Sequence, residues 1–388
     1  MKDSLFGDLS VIGMPGCESF VGYVDSYLKD SRREVGEDVK KTYTVQVECP
    51  RFGSGEGKGL VHESMRGKDV YIIADVFNYG VTYEMYNIKS PMSPDDHFQD
   101  LKRVIAAIGG KAGRISVIMP MLYEGRQHRR QARESLDCAV ALQELANMGV
   151  QNIITFDAHD ARIQNAVPLC SFDSVRPTYQ MIKALIHTVD DVSLDHDDIM
   201  IVSPDEGAMS RCIYYSSVLG IDLGMFYKRR NYSIVIDGRN PIEAHEYLGR
   251  SVKGKDVMVV DDMISSGDSI IDVSRQLKEK GANRIFLFPT FGLFCNGLEI
   301  FDKAYAEGTF DRIFTTNLIY QPDELLRREW YTEVNMCKYV ALLINTLNHD
   351  ASISELLDPV KRINKMLGEY NEEKAKNSQQ ISMEHLVK

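Results

Sequence analysis

Residues 257–270, VMVVDDMISSGDSI, combine a carboxylate pair with a small-residue turn, which together could bind a phosphorylated sugar. An apolar run typical of a buried strand leads into Asp261 and Asp262. The turn that follows contains Ser265, Ser266, Gly267 and Ser269. Small residues before a helix leave backbone N–H groups free to donate to an anion. The carboxylates can accept from sugar hydroxyls or help to hold a metal, whereas the alternative is an ordinary strand-to-helix turn.

Two further segments concentrate positive charge, LYEGRQHRR (122–130) and YKRR (227–230), each directly after a predicted strand. Ligands of α/β folds bind at the carboxyl ends of strands, and the forked guanidinium of arginine suits phosphate. Cations that close over a polyphosphate stabilise the charge of a transferring phosphoryl group. The alternative for both segments is a solvated basic surface.

Two other segments offer a base-binding loop and metal ligands. In FGSGE (52–56) an aromatic ring could stack on a purine while the carboxylate accepts from its exocyclic amine. His159 in DAHD and Asp205 in SPDEG each follow a predicted strand and are competent metal ligands. A plain surface loop and a structural histidine are the alternatives.

The elements that must position these residues alternate between strands and helices. Strands are predicted at 70–74, 114–122, 152–156, 199–203, 224–227, 257–260 and 284–288, with helices at 133–148, 207–219 and 270–281. This alternation predicts an α/β fold of mostly parallel sheets flanked by helices. The segments QELANMGVQNIITFDAHD and RQLKEKGANRIFLFPTFG share the order helix, Gly, strand and turn, which indicates two similar domains.

We therefore expect an N-terminal domain over 1–185, a C-terminal domain over 186–350 and a helical, charged tail over 351–388 that frays from about residue 370. Residues 79–97, rich in Tyr, Pro and Asp, are interpreted as an inserted loop. The 388 residues carry a formal net charge of −11, which disfavours a nucleic-acid partner. Seven scattered cysteines without a CxxC pair predict reduced thiols and no zinc. With neither a signal-like start nor a membrane-length apolar run, we expect a cytoplasmic protein without a membrane partner.

The 257–270 segment resembles the ribose-5-phosphate loop of the type I phosphoribosyltransferase superfamily. In order along the chain, the segments together resemble the ribose-phosphate pyrophosphokinase family from about residue 52 to residue 358. FGSGE is similar to that family's adenine loop F-x-N-x-E, GRQHRR to its ARQDRK-like segment, and FDAHDARIQ to its T-x-D-L-H-x-x-Q-I-Q motif. SPDEGAMSR is similar to its SPD-x-G segment, FYKRR to its catalytic flexible loop, and TTNLI (315–319) to its late VTNTI-like strand.

The resemblance implies two phosphoribosyltransferase-like α/β domains with the active site between them. It implies magnesium-dependent conversion of ATP and ribose 5-phosphate to AMP and 5-phosphoribosyl pyrophosphate. It assigns ATP binding to Phe52, Glu56, Arg126 and Gln127, ribose-5-phosphate binding to Asp261, Asp262, Ser265, Ser266, Gly267 and Ser269, magnesium to His159 and Asp205, and catalysis to Lys228 and Arg230. Ser54 departs from the family's Asn, and Ser265 stands where many members have a third Asp.

Two other functions are compatible with parts of this pattern. A phosphoribosyltransferase would share the ribose loop but would not require DAHD, SPDEG and YKRR together. A non-catalytic regulatory homologue would be expected to lack Lys228, His159 or Asp205, and all three are present. The resemblance also implies a homo-oligomer built from dimers, possibly a hexamer.

Overall fold

A computed structural model describes residues 5–130, 133–230 and 242–386. The chain divides into two units. Unit 1 consists of Met1–Pro177, Thr316–Glu324 and Asn335–Leu357, and unit 2 of Thr178–Thr315, Leu325–Val334 and Asp358–Lys388. The expected boundary at 185/186 lies within a helix, Thr178–Thr188, and the later segments alternate between units. This alternation depends on packing between residues far apart in sequence, which local patterns do not encode.

Unit 1 is built on a six-stranded sheet in the order β10-β9-β8-β5-β1-β2, in which neighbouring strands are parallel. Its strands are β1 (Leu9–Gly13), β2 (Thr44–Val45), β5 (Asp69–Ile73), β8 (Arg114–Ile118), β9 (Asn152–Phe156) and β10 (Ser171–Val175). Its helices are α1 (Glu18–Glu34), α2 (Pro94–Ile108), α3 (Asp137–Asn147), α9 (Cys337–Asn348) and α10 (Ser354–Leu357), with a 3-10 helix at Ala161–Ala166. Every residue of β5 and β8 is buried, as expected for central parallel strands.

Unit 2 is built on a seven-stranded sheet in the order β13-β12-β11-β14-β15-β16-β17. Its strands are β11 (Ile199–Ser203), β12 (Leu223–Arg230), β13 (Ile242–Leu248), β14 (Asp256–Ile264), β15 (Ile285–Gly292), β16 (Arg312–Thr316) and β17 (Tyr331–Val334). Its helices are α4 (Thr178–Thr188), α5 (Met209–Leu219), α6 (Asp268–Glu279), α7 (Glu299–Ala306) and α11 (Val360–Leu386), while α8 (Asp323–Leu326) begins in unit 1. Strands β11, β12, β14, β15 and β16 pair in parallel, and β13 joins β12 antiparallel.

The interpretation of 79–97 as a loop is wrong, because β6 (Thr82–Met85) and β7 (Ile88–Pro91) form an antiparallel hairpin there. Tyr86 and Asn87 at its tip have φ of 50° and 61°, which is the geometry of a two-residue hairpin turn. The segment ends in the first turn of α2, whose amino end Ser93 and Asp96 close with a capping box. A second antiparallel pair of short strands, β3 (Val47–Glu48) and β4 (Leu60–Val61), precedes β5 in the chain.

Two other expectations differ from the structure in extent. Strand β14 continues through Asp261 and Asp262, so the acid pair lies on the strand rather than after it. The late strand predicted at 315–319 ends at Thr316. The tail, expected to be helical, contains α11, and Lys374 Nζ on that helix donates to the Val192 carbonyl over 3.0 Å. Among the described residues, none of the helices combines the length and apolarity that crossing a membrane requires.

Candidate active site

The carboxyl edge of the central strands of unit 2 brings together several of the predicted residues. The chain leaves β11 towards β12 on one side, and β14 and β15 follow on the other, so the strand order reverses between β11 and β14. Ligands of open α/β sheets bind at such a switch point, beyond the carboxyl ends of the strands. In the ladder, Ser203 of β11 is level with Met225, and Val202 is level with Val259. Asp205, Asp261 and the backbone of Lys228 follow these paired residues by a few positions, so all three lie at the same edge of the sheet.

The acid pair on β14 is accompanied by a buried arginine from α5. Arg211 places Nη1 3.8 Å from Asp261 Oδ1 and Nη2 3.9 Å from Asp262 Oδ2. The Asp262 N–H donates to Asp261 Oδ1 over 2.8 Å. Burial and the charge of Asp262 raise the pKa of Asp261 well above its usual range, and Arg211 opposes the rise. The arginine thus favours the ionised form, which accepts hydrogen bonds from sugar hydroxyls.

The turn after β14 ends at the amino terminus of α6. Gly267 precedes the helix with a φ of 98°, and no side chain makes a capping hydrogen bond there. The turn is anchored on its other side, since the Ser265 carbonyl accepts from the Cys295 N–H over 2.9 Å. Ser266 is half-buried and Ser269 is exposed at the start of the helix. An uncapped helix amino terminus offers orphan donors and the positive end of the helix dipole to an anion.

Asp205 is fixed in the turn that leads from β11 to α5. Its Oδ1 accepts from the N–H groups of Gly207 and Ala208, at 2.9 and 3.2 Å. Ser203 Oγ donates to the Asp205 carbonyl over 2.7 Å. These bonds orient the carboxylate at the same sheet edge as the acid pair.

Lys228 and Arg230, predicted in a loop after Tyr227, have their backbone in β12, opposite His245 and Ile242 of β13. Residues 231–241, which complete the predicted flexible loop, lie outside the described residues. The two cations therefore belong to the last three residues of β12, immediately before that segment.

In unit 1, the basic segment 122–130 meets the DAHD segment. The rings of His128 and His159 lie 5.3 Å apart, and His128 Nε2 is 3.5 Å from Asp160 Oδ2. Burial, followed by the proximity of His159, lowers the pKa of His128. Arg126 and Gln127 are exposed on the turn before it. His128 stands where the similar family segment has an acidic residue, so its pairing with His159 is a feature that the motif comparison did not reveal.

The predicted adenine loop is a tight turn in unit 1. The Phe52 N–H donates to the Glu56 carbonyl over 2.7 Å, and the Gly55 N–H donates to the Phe52 carbonyl over 2.8 Å. Ser54 Oγ donates to Glu56 Oε2 over 2.8 Å. The side chain that departs from the family pattern thus holds the carboxylate of the loop, while the Phe52 ring is 57% exposed and available for stacking.

The predicted metal residues belong to different units, His159 to unit 1 and Asp205 to unit 2. Across residues 5–130, 133–230 and 242–386, no group of three or more His, Cys, Asp and Glu side chains is arranged to hold a metal. Magnesium takes most of its ligands from water and substrate phosphates, so one or two protein groups suffice. The carboxylate of Asp205 suits that ion, and the imidazole of His159 suits contact through water.

The corresponding crevice of unit 1 contains a buried carboxylate bound by the chain itself. Strand order reverses there between β1 and β5, and Asp75 follows β5. Its Oδ2 accepts from the Tyr320 N–H over 2.6 Å and its Oδ1 from the Phe77 N–H over 3.0 Å. Burial raises the pKa of Asp75 to about 7 against the opposing effect of these two bonds.

Asp75 predicts a stability that depends on pH. Because the folded pKa is raised, the native state retains a proton that the unfolded chain has lost, and this contribution to stability falls as pH rises from about 4 to about 7. Asp75→Asn should leave one of the two N–H donors without an acceptor and lower the melting temperature at pH 5. The melting temperature of the parent should fall further between pH 5 and pH 8. In Asp75→Asn that fall should be smaller by several degrees, because 1 kcal/mol corresponds to about 2–4 °C. Thermal melts of both proteins across that range test this, and equal slopes would contradict it.

Comparison with known proteins gives consistent matches. Family models match for the N-terminal domain of ribose phosphate pyrophosphokinase over residues 26–149, a phosphoribosyl transferase domain over 172–288 and a phosphoribosyl synthetase-associated domain over 242–358. The ribose-phosphate pyrophosphokinase of Vibrio cholerae is 28% identical over 315 residues, which cover 79% of this chain and 90% of that protein. That of Rhodopirellula baltica is 27% identical over 315 residues, covering 80% and 90%.

A solved structure shares the fold. The crystal structure of phosphoribosylpyrophosphate synthetase from Mycobacterium smegmatis matches with a TM-score of 0.69 at 20% identity, covering 89% of this chain and 100% of that one. The predicted α/β fold, with mostly parallel sheets flanked by helices, is confirmed.

Proposed function

The chain belongs to the ribose-phosphate pyrophosphokinase family, and we infer that it transfers the diphosphoryl group of ATP to ribose 5-phosphate, giving AMP and 5-phosphoribosyl pyrophosphate. The observation on which this depends most is the switch-point edge of unit 2. There a carboxylate pair with its arginine stands on β14, directly before an uncapped helix amino terminus. That arrangement suits a sugar bearing a terminal phosphate.

The proposed reaction is an in-line displacement. The oxygen of the anomeric hydroxyl forms a bond to the β-phosphorus of ATP and loses its proton to solvent, the bond from that phosphorus to the bridging α–β oxygen breaks, and AMP leaves. The protein mainly needs to align the two substrates and to neutralise charge. The turn 265–269 would bind the 5-phosphate, and Asp261 and Asp262 would accept from the ribose hydroxyls. Lys228 and Arg230 would stabilise the charge that develops on the β-phosphoryl group.

On the ATP side, the Phe52 ring would stack on the adenine and Glu56 would accept from its amine. Arg126 and Gln127 are exposed on a turn next to the His128–His159 pair and would contact the nucleotide. Asp205 and His159 are each proposed as contacts for Mg²⁺, which would supply charge neutralisation on the polyphosphate.

The direct test is a coupled assay for AMP release with the purified full chain. AMP should appear only when both ATP and ribose 5-phosphate are present, and in equal amount to 5-phosphoribosyl pyrophosphate. AMP release without ribose 5-phosphate, or none with both, would refute the proposed function. Consumption of added 5-phosphoribosyl pyrophosphate with a nucleobase would favour a phosphoribosyltransferase instead.

Asp261→Asn and Asp262→Asn should each raise the Michaelis constant for ribose 5-phosphate about tenfold, while that for ATP changes little. The reason is that the carboxylates contact the sugar, and a lost hydrogen bond to a charged group costs about 1.5–3 kcal/mol. Steady-state titration of each substrate at saturation of the other measures both constants. Equal effects on the two substrates would contradict the assignment.

His159→Ala and Asp205→Ala should each raise the magnesium concentration that gives half-maximal activity by at least about tenfold, since replacing even a residue that only supports a metal's ligands costs that much affinity. Magnesium titrations at fixed ATP measure this, and Glu206→Ala, exposed beside Asp205, serves as the control. Unchanged titrations for both variants would leave His159 and Asp205 with structural roles only.

The same proposal includes assembly as a homo-oligomer built from dimers and action in the cytoplasm. Mass measurement by light scattering of the purified chain, with and without ATP and Mg²⁺, tests the assembly. A monomer under all conditions would contradict it.

A further inference from the structure

The hairpin β6–β7, here called the inserted hairpin, lies against the 52–56 loop within unit 1. At its tip, the Tyr86 N–H donates to the Gly53 carbonyl over 3.0 Å. Met85 packs on the loop from the same strand, because a Cβ built on Gly55 would come within 2.6 Å of Met85 Sδ. Gly55 itself has a φ of 93°, so the loop bends sharply where the thioether contacts it.

The base of the loop is fixed by the same hairpin and by α2. Arg51, one residue before Phe52, donates from Nη1 to Asp100 Oδ1 over 2.6 Å, and both side chains are nearly fully buried. The Tyr83 ring lies 5.3 Å from the Arg51 guanidinium carbon, within cation–π range. A one-pair bridge joins Arg51 to Gly57, closing the loop.

The inserted hairpin presents one face to the loop and the other to solvent. Tyr83 and Met85 are half-buried, whereas Thr82 and Glu84 are exposed, as the alternation of a strand requires. The loop in turn keeps the Phe52 ring exposed and the Glu56 carboxylate bonded to Ser54. Phe52 and Glu56, which would contact a purine, are therefore exposed on a loop whose backbone is held by the inserted hairpin.

We propose that the inserted hairpin is a positioning element for the nucleobase: it holds the 52–56 loop in the shape that binds the adenine of ATP. This inference rests on the proposed function. A Gly/Ser loop that is ordered only on binding loses affinity to the entropy of ordering, and a packed support removes that loss in advance. The hairpin should thus affect ATP binding and selectivity for adenine, and leave ribose 5-phosphate binding, which belongs to unit 2, unchanged.

The geometry allows the hairpin to be shortened cleanly. Thr82 pairs with Pro91, and the Met92 N–H donates to the Val81 carbonyl over 2.8 Å, so the base of the hairpin is already closed. Replacing residues 83–90 by Asn-Gly, the preferred two-residue turn, removes Tyr83, Met85 and the tip while keeping the base. Ile88→Ala, at a side chain that is 64% exposed on the same hairpin, is the matched control.

We expect the shortened variant to raise the Michaelis constant for ATP about tenfold, from the loss of one hydrogen bond and the packed thioether. The Michaelis constant for ribose 5-phosphate and turnover at saturating ATP should stay within about twofold, and the preference for ATP over GTP should weaken. Ile88→Ala should match the parent in both Michaelis constants, in turnover and in the preference for ATP over GTP. An unchanged Michaelis constant for ATP in the shortened variant would overturn the inference.

Two further measurements distinguish failure of the positioning role from failure of the proposed function. Met85→Ala tests the same contact with a smaller change, about threefold on the Michaelis constant for ATP, and decides the question if the shortened variant does not fold. Hydrogen exchange at the Gly55 amide should speed up in either variant without any substrate present. If the parent lacks AMP release but this exchange accelerates and ATP binding weakens, the proposed function fails while the positioning role stands.

Discussion

Lys228→Ala is expected to reduce turnover by about a hundredfold to a thousandfold, while ATP binding and the melting temperature stay close to those of the parent. A cation that engages mainly in the transition state lowers the barrier without tightening the ground state. Lys228 lies at the outer end of β12, opposite His245 of the edge strand β13, and so outside the central strands of unit 2. Its loss should therefore cost catalysis much more than folding.

The measurement combines a turnover assay, a thermal melt and an ATP titration, with Lys303→Ala as the control. The Lys303 side chain is 75% exposed on α7, and its ion pair with Glu307 spans 3.9 Å, so its replacement should be nearly neutral. Turnover equal to the parent in Lys228→Ala would show that the cation does not act on the transferring group, and a phosphoribosyltransferase or a regulatory homologue would then fit better. If Lys228→Ala unfolds, Lys228→Met, which keeps the stem, separates the charge from the packing.

The phosphate-binding edge of unit 2 could be predicted because its parts are contiguous. Strand, acid pair, turn and helix follow one another within 257–270, and each is specified by local chemistry: apolar run, carboxylates, small residues and helical period. In the structure the strand extends further, through Asp261 and Asp262, because β15 pairs with that stretch of β14, and the helix begins slightly earlier, at Asp268.

The parts that the sequence did not reveal depend on distant contacts. Arg211 balances the charge of the acid pair from a helix fifty residues earlier in the chain. Helix α9 belongs to unit 1 because Arg32 on α1 donates from Nε to Asn345 Oδ1 over 2.9 Å, across most of the chain. The inserted hairpin looked like a loop because its strands are short and its outer face is polar, whereas its inner contacts are with the 52–56 loop.

The two switch points explain why two similar sheets should bind different substrates. In unit 2 the crevice ends in a helix amino terminus without a side-chain cap, beside carboxylates supported by Arg211. In unit 1 the equivalent crevice holds Asp75, a buried carboxylate that takes backbone N–H groups from Phe77 and Tyr320. The Phe77 and Tyr320 N–H groups, which could otherwise donate to a phosphate at that position, are already bonded to the Asp75 carboxyl group. The sugar phosphate is therefore expected only at unit 2.

Gly267→Ala should both destabilise unit 2 and weaken ribose 5-phosphate binding. Gly267 has a φ of 98°, and a Cβ there would lie 2.2 Å from Cζ of Phe301, a fully buried ring packed on Trp330. The methyl group would force the turn or the aromatic core to move, at about 1–3 kcal/mol for strain and a similar cost for overpacking. A shifted turn no longer aims its N–H groups at one point, so the Michaelis constant for ribose 5-phosphate should rise at least about tenfold.

Gly220→Ala separates this effect from backbone strain alone. Gly220 ends α5 with a φ of 68°, but a Cβ there would have no atom within 4 Å. Its replacement should cost about 1 kcal/mol and leave both Michaelis constants unchanged. Melts and steady-state titrations of the two variants side by side make the comparison. If Gly267→Ala binds ribose 5-phosphate like Gly220→Ala, the turn at 265–269 does not hold the sugar phosphate, and its glycine serves only the packing of Phe301.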